Sequence, residues 1–499
     1  MPSAISEHMN GTHVVPPILR GTVKHDPDFN VRNIMITGGA GFIGSWVVRH
    51  LTLTYPQAYH IICYDKLDYC ATLNNTKCLD NAHNFSFVFG DITDQAAVLR
   101  CIKEYQVDTI MHFAAQSHVD LSFGNSFAFT ENNVFGTHKL LEAAVKCNVK
   151  KFIHVSTDEV NGENETEEAF TEESLLKPTN PYAASKAAAE MFVNAYSRSY
   201  KLPCIIVRSN NVYGPHQYPE KIIPKFSCLL DRGLPLPLHG QGTARRSFLY
   251  ASDAADAFDT ILHKGVPGEV YVVESQDEVG NLDLAHRMLN IFNIAEADHS
   301  TWINHVVDRP FNDQRYKMHA TKLPALGWQQ KVRFEQGLAD TVAWYRRWGR
   351  HWWKGTDALF KTSLAHPEVG GEGIPGSGMP RTPLIEVQQD RLFAANAAAG
   401  TAHVPAPNGK ENGGKDIFQD NTESAPQSGF LAPPTPAIMN SIAAETAINL
   451  APAAPELAKR NTRKRARESE EDEGKENQDV SSKRQMLGED LAAGGDTVR

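Results

Sequence analysis

Short apolar runs alternate with longer stretches of helical period over the first two hundred residues. Val31–Thr37, His60–Asp65, Phe85–Phe89, Thr109–Phe113, Lys151–Ser156 and Pro203–Arg208 each read as a buried strand. Between them, segments such as Thr137–Cys147 and Tyr182–Tyr200 carry apolar residues at helical spacing. Strands that alternate with helices predict a parallel sheet covered on both faces. From about Gly214 the rhythm changes to short elements, prolines and loops as far as residue 355. That change predicts a smaller lobe, over 214–355, set against the ends of the strands.

Both termini depart from this pattern. Residues 1–30 are polar and broken by proline and glycine, which predicts a loose leader. Residues 366–499 are rich in Gly, Ala, Pro, Asn and Glu and poor in aromatics. Such a tail buries too little apolar surface to offset the entropy of ordering, and is expected to be disordered.

Composition narrows the functional classes. The 499 residues carry a formal net charge of −10, which disfavours a nucleic-acid or anionic-membrane partner. No apolar run approaches the roughly 20 residues of a membrane span, and the N-terminus has no secretory pattern. The seven cysteines form no CxxC pair, so neither a disulfide framework nor a zinc site is expected. A soluble chain with reduced thiols, in the cytosol, is the expectation.

The first strand runs into Gly38, Gly41 and Gly44, spaced GxxGxxG, at the start of a helix. Glycine at these places permits a tight turn, close approach of a pyrophosphate and close packing of helix on strand. The helix N-terminus then offers free N–H groups to phosphate. Asp65 ends the second strand, where an acid would hold ribose hydroxyls and repel a 2′-phosphate. Together these predict a doubly wound Rossmann sheet over 31–213 that binds NAD. Phe42, Ile43 and Lys66 adjoin the motif; Asp91 and Ile92 would meet the adenine; Phe113, Ala114 and Ala115 would line the cofactor.

Tyr182 and Lys186 form a YxxxK pair on one face of a helix. YxxxK alone occurs on many helices. In a cofactor sheet, however, a lysine cation beside a tyrosine favours the phenolate and would let Tyr182 act as a base. Thr157, Asp158 and Glu159 end the fifth strand. Adjacent carboxylates whose pKa values are split by proximity and burial suit acid and base work.

The motifs GGAGFIGS, DKLDYC, HFAAQSHVD, HVSTDEV, NPYAASKA, NNVYGPHQYPEKIIPKF and DRPFNDQRY, in that order, resemble the nucleoside-diphosphate-glucose 4,6-dehydratases of the extended short-chain dehydrogenase/reductases. DKLDYC and RPFNDQRY look more like the eukaryotic UDP-glucose enzymes, such as the N-terminal domain of plant UDP-rhamnose synthases. The resemblance implies that Tyr182, helped by Lys186 and Thr157, takes the 4-hydroxyl proton as hydride passes from C4 to NAD. It implies that Glu159 then removes the C5 hydrogen while Asp158 protonates the departing 6-hydroxyl, and that hydride returns at C6. The product would be UDP-4-keto-6-deoxyglucose; dTDP-glucose is the alternative substrate. Ser117, His118, Asn211, Glu220, Lys221, Arg246 and Arg309 fall at substrate-contacting places, the two arginines toward the diphosphate.

A related epimerase or decarboxylase is disfavoured by the Thr-Asp-Glu triplet. A non-enzymatic scaffold is disfavoured because Tyr182, Lys186, Asp158 and Glu159 are all present. The sequence departs from the family at Asn161, where tyrosine is usual, which is expected to loosen the pocket beside the carboxylates; the following insert NGENETEEAF is unusually acidic. Related proteins dimerise through the Tyr182 helix and the Thr137–Cys147 helix, which implies a homodimer. The tail adds a basic cluster at 463–467, the pattern of a nuclear import signal, two KEN triplets and a PPTP segment, with partners unassigned.

Overall fold

A computed structural model describes residues 16–353, 355–356 and 359–360; the tail expected to be disordered and its motifs lie outside the described residues. The six expected strands are present as β1 (Asn33–Thr37), β2 (His60–Asp65), β3 (Phe85–Phe89), β4 (Thr109–His112), β5 (Lys151–Thr157) and β6 (Cys204–Ser209). With them alternate α1 (Phe42–Thr54), α2 (Gln95–Glu104), the short α3 (Val119–Gly124) and α4 (Ser126–Phe129), α5 (Thr137–Lys146) and α6 (Pro181–Ser199). The large sheet is wholly parallel and its order reverses after β1, as β3-β2-β1-β4-β5-β6, with a seventh strand beyond β6. Strands buried on both faces explain the near-continuous apolar runs.

After β7 (Asn211–Tyr213) come α7 (Ile222–Leu230), β8 (Leu236–His239), β9 (Arg245–Tyr250) and α8 (Ala251–Lys264). The seventh strand of the large sheet is β10 (Val270–Val273), which pairs with β6. It comes from inside the segment expected to form mainly the lobe. Its apolar run VYVV was too short to stand out among the surrounding loops. The lobe itself contains β11 (Glu278–Gly280) against β9, and β12 (Ile303–Val306) against β8. Its apolar core packs α7 against the helix Phe334–Trp344.

The leader is not loose over its described part. Asp256, fully buried on α8, accepts the Thr22 N–H at 2.6 Å, the Thr22 hydroxyl at 2.8 Å and the Val23 N–H at 3.0 Å. Lys151 pairs with Asp28 at 3.0 Å. A polar strap with few apolar residues is thus held by hydrogen bonds, a signal that hydropathy does not carry. No described helix is long and apolar enough to cross a membrane.

Candidate active site

The carboxyl ends of the strands open into a cavity of about 430 Å³ that reaches from the glycine turn to the lobe. Ligands of open α/β sheets bind at such a place, where the strand order reverses. The turn is built for close approach. Gly38 has φ +69°, and a Cβ there would stand 2.7 Å from the Ala114 nitrogen. A Cβ on Gly41 would meet only the Gly38 oxygen, at 3.2 Å, leaving open space beside it for a phosphate. The first turn of α1 is not capped by any side chain, so its N–H groups face that space.

Asp65 lines the cavity at the end of β2 and accepts the N–H groups of Ala40 at 3.0 Å and Leu67 at 2.7 Å. Burial raises its pKa to about 6 against these bonds. Lys66 is 3.4 Å from Asp91 and donates to Asn132 at 3.2 Å. Ile92, Phe113, Ala114 and Ala115 lie on the same wall. The expected cofactor residues therefore share one half of the cavity, and their chemistry suits an adenosine diphosphate.

Asn180 starts α6: its side chain accepts the Ala183 N–H at 2.8 Å, and Pro181 occupies the first helical position. That start sends Tyr182 and Lys186 into the cavity wall, opposite the end of β5. Lys186 donates to the Val155 carbonyl at 2.6 Å, and burial lowers its pKa to about 8. The expected lowering of the Tyr182 pKa is not what the structure gives. Burial and the Glu159 carboxylate push it upward, although a hydrogen bond with Thr157 acts the other way.

Thr157 and Glu159 line the cavity, and Asn180 donates to Glu159 at 3.1 Å. Burial raises the Glu159 pKa, partly countered by the Asn180 hydrogen bond and then by Arg246, Lys221 and Arg309. Asp158 differs from expectation: it does not line the cavity. It begins the short 3-10 turn Asp158–Asn161 that follows β5 and lies behind the wall, where it accepts the Thr157 hydroxyl at 3.1 Å and the Asn210 amide at 2.7 Å. Burial and the neighbouring Glu159 raise its pKa to about 7. Asn161 also lies off the cavity. It is buried and donates to the Ser174 and Leu175 carbonyls, so the missing tyrosine ring does not open the pocket.

The lobe half of the cavity is polar. Lys221 donates to the Ser117 carbonyl at 2.7 Å, His118 is 3.6 Å from Glu220, and Arg309 pairs with Asp120 at 2.6 Å. Burial and Lys221 lower the His118 pKa to about 3, so that ring is neutral. Asn211 lines the cavity near them. Arg246 lies over the Tyr316 ring, 4.7 Å from its centroid. The acidic insert holds this region in place: Glu163 accepts the Gln314 N–H at 2.7 Å, and Arg315 bridges Glu167 and Glu278, each at 2.6 Å. Asn180, Asn210 and Tyr316 were not anticipated; only the Asn-Pro step before YxxxK marked one of them as a helix start.

A family model described as "GDP-mannose 4,6 dehydratase" matches residues 35–341. The chain is 47% identical to dTDP-D-glucose 4,6-dehydratase of Mus musculus over 343 residues, 68% of this chain and 96% of that protein. It is 45% identical over 393 residues to a trifunctional UDP-glucose 4,6-dehydratase/UDP-4-keto-6-deoxy-D-glucose 3,5-epimerase/UDP-4-keto-L-rhamnose-reductase of Arabidopsis thaliana. That match covers 78% of this chain and 57% of the plant protein. Among solved structures, dTDP-glucose 4,6-dehydratase DesIV of Streptomyces venezuelae, with NAD and TYD bound, is 40% identical with a TM-score of 0.62. It covers 64% of this chain and 99% of the bacterial one. The sheet, the cavity on its carboxyl edge and these relatives agree: the chain belongs to the nucleoside-diphosphate-sugar 4,6-dehydratase family and is a hydro-lyase of the NDP-glucose type.

Proposed function

We propose that this protein is an NAD-dependent UDP-glucose 4,6-dehydratase. The observation that carries the reading is the wall formed by Tyr182, Thr157 and Glu159, which faces one cavity with the glycine turn. The choice of UDP is supported by the name of the plant relative and by the DKLDYC and RPFNDQRY segments. The mouse relative's name supports dTDP-glucose instead, and one experiment decides between them.

NAD, when bound, accepts hydride from the sugar C4 and returns it at C6. The remaining work falls to the chain. Tyr182 takes the 4-hydroxyl proton, with Thr157 hydrogen-bonded to it and Lys186 one helical turn on. The resulting C4 ketone acidifies the C5 hydrogen, which the Glu159 carboxylate removes and later gives back. Asp158, whose pKa burial and Glu159 raise to about 7, is the acid for the departing 6-hydroxyl. That role needs its side chain to turn out of the Asn210 hydrogen bond. Arg246 and Arg309 suit the diphosphate, since a guanidinium fork matches phosphate oxygens. Asn211, Glu220, Lys221, Ser117 and His118 surround the sugar.

The reading includes a homodimer. Phe127, Phe135 and Met191 are 85%, 55% and 53% exposed on or between α4 and α6, beside α5, and a second copy would cover them. It also includes the cytosol, supported by seven free cysteines. The test is incubation of purified protein and NAD with UDP-glucose and, separately, dTDP-glucose. Loss of one water by mass spectrometry from UDP-glucose is the expected result. Loss only from dTDP-glucose would overturn the nucleotide; loss from neither would overturn the activity.

A further inference from the structure

Arg49 is fully buried on α1, and among the described residues no carboxylate pairs with it; its ionisable neighbour is the Cys78 thiol. Its Nε donates to the Leu19 carbonyl of the N-terminal strap at 2.7 Å, and one Nη donates to the Asn75 carbonyl at 2.5 Å. The other Nη has no partner, and the guanidinium lies 5.2 Å from the centroid of the Trp46 ring. A buried cation without a counter-charge is costly, and replacing it by a well-packed apolar side chain would remove that cost. What the cation holds is therefore of interest.

Asn75 is itself 0% exposed, and each of its polar atoms is engaged. Its Nδ2 donates to the Ala40 carbonyl at 2.8 Å and reaches the Gly41 carbonyl at 3.4 Å. Its Oδ1 accepts the Trp352 indole N–H at 2.8 Å. Ala40 and Gly41 belong to the glycine turn. A diphosphate needs N–H groups there, and a carbonyl turned toward it would repel it. Asn75 bridges the two carbonyls on the side where the Ala40 carbonyl also accepts the Thr72 N–H and the Gly41 carbonyl the Ser45 N–H, each at 3.2 Å.

We propose that Asn75 is a positioning residue for the dinucleotide. Arg49, and through it the strap at Leu19, fixes Asn75, and Asn75 fixes the carbonyls of the glycine turn so that its N–H groups are presented to the diphosphate. The strap, the turn and Trp352 thereby form one hydrogen-bonded unit. The inference rests on the reading that this pocket takes NAD.

The test uses the full-length protein and the variant Asn75→Asp, which keeps the shape and loses the donor when ionised. NAD retained through gel filtration is counted per chain, and folding is followed by circular dichroism. Loss of the Asn75 donor removes one of the two hydrogen bonds that each carbonyl accepts, which corresponds to about two- to tenfold weaker retention. That loss is expected at about pH 9, where the new carboxyl is ionised. As pH is lowered from about 7 toward about 5, the new carboxyl, raised by burial and lowered by the adjacent Arg49 cation, becomes protonated and donates again, so retention recovers. Retention is read as the ratio of N75D to wild type at each pH, because Asp65 lines the same pocket and titrates in it.

Equal retention by N75D and wild type at the higher pH overturns the proposal. So does a loss that fails to recover at the lower pH, which would mean general damage. If N75D does not fold, Arg49→Lys decides: weaker NAD retention by a folded protein supports the relay, and unchanged retention overturns it. A wild type that takes up no NAD at all would instead overturn the cofactor reading itself.

Discussion

Asn180 joins the two halves of the catalytic wall: its Oδ1 accepts the Ala183 N–H at 2.8 Å, and its Nδ2 donates to Glu159 at 3.1 Å. One side chain therefore starts the helix that bears Tyr182 and Lys186 and aims the carboxylate that faces them. Asn180→Ala is expected to cost about 1 kcal/mol through loss of the cap, and to lower kcat as well. Asn180→Asp separates the effects. It keeps a good cap but sets a second carboxylate against Glu159, so stability is retained while kcat falls. Denaturant titration with steady-state rates checks this; an N180D enzyme of full activity would sink the link.

Tyr182→Phe and Glu159→Gln should fail at different stages. Removal of a general base is expected to cost about 10²- to 10⁴-fold in rate. Tyr182→Phe would then show almost no reduced nicotinamide in a single turnover. Glu159→Gln would still oxidise C4 and accumulate the reduced form without losing water. Stopped-flow absorbance near the nicotinamide band distinguishes them, and identical traces would refute the division of roles.

Arg309 and Asp120 form an ion pair at 2.6 Å, with side chains about a third exposed. If Arg309 serves the diphosphate, Arg309→Ala should raise KM for the nucleotide sugar by about tenfold or more, given about 1.5–3 kcal/mol for a charged hydrogen bond. Asp120→Asn, which releases the guanidinium, should leave KM unchanged or lower it. A KM that moves the same way in both variants would count against the assignment.

Burial, then Glu159, raises the Asp158 pKa from 3.8 to about 7. A raised folded-state pKa means the folded protein holds this proton more tightly than the unfolded chain. The associated stability is full below about 3.8 and is lost as pH rises through about 7. Asp158→Asn should therefore be at least as stable as wild type at pH 8, while inactive. As the acid must be protonated, wild-type kcat should decline above about pH 7. A rate that rises steadily to pH 9 would exclude Asp158 as the acid.

Asp259 behaves in the opposite sense. Burial acts to raise its pKa, but hydrogen bonds with His263 and His50 overcome this and hold it near 2. Here the folded-state value is depressed, so the stability is present above about 3.8 and lost as pH falls toward 2. Asp259→Asn should cost about 3 kcal/mol at neutral pH, since it leaves buried histidine and tyrosine partners short of a charge. A denaturant midpoint unmoved at pH 7 would contradict this.

Much of this protein is local in origin. The apolar runs determined β1 to β6 because strands buried on both faces admit little else. Gly38, Gly41, Gly44 and Asp65 marked the dinucleotide half because backbone approach and the position of an acid are fixed within a few residues of one turn. Tyr182 and Lys186 were legible because helical spacing alone puts them on one face.

The tertiary structure decided what depends on partners distant in sequence. β10 joins the large sheet only because it finds β6, and residues 16–30 are held by Asp256, Arg49 and Lys151, all distant in sequence. Asp158 lies behind the wall because Asn210, 52 residues away, holds it there, while Asn180 holds Glu159. A pattern along the chain records which side chains are apolar and how they are spaced. It does not record which polar atoms, far apart in sequence, satisfy one another once water is excluded.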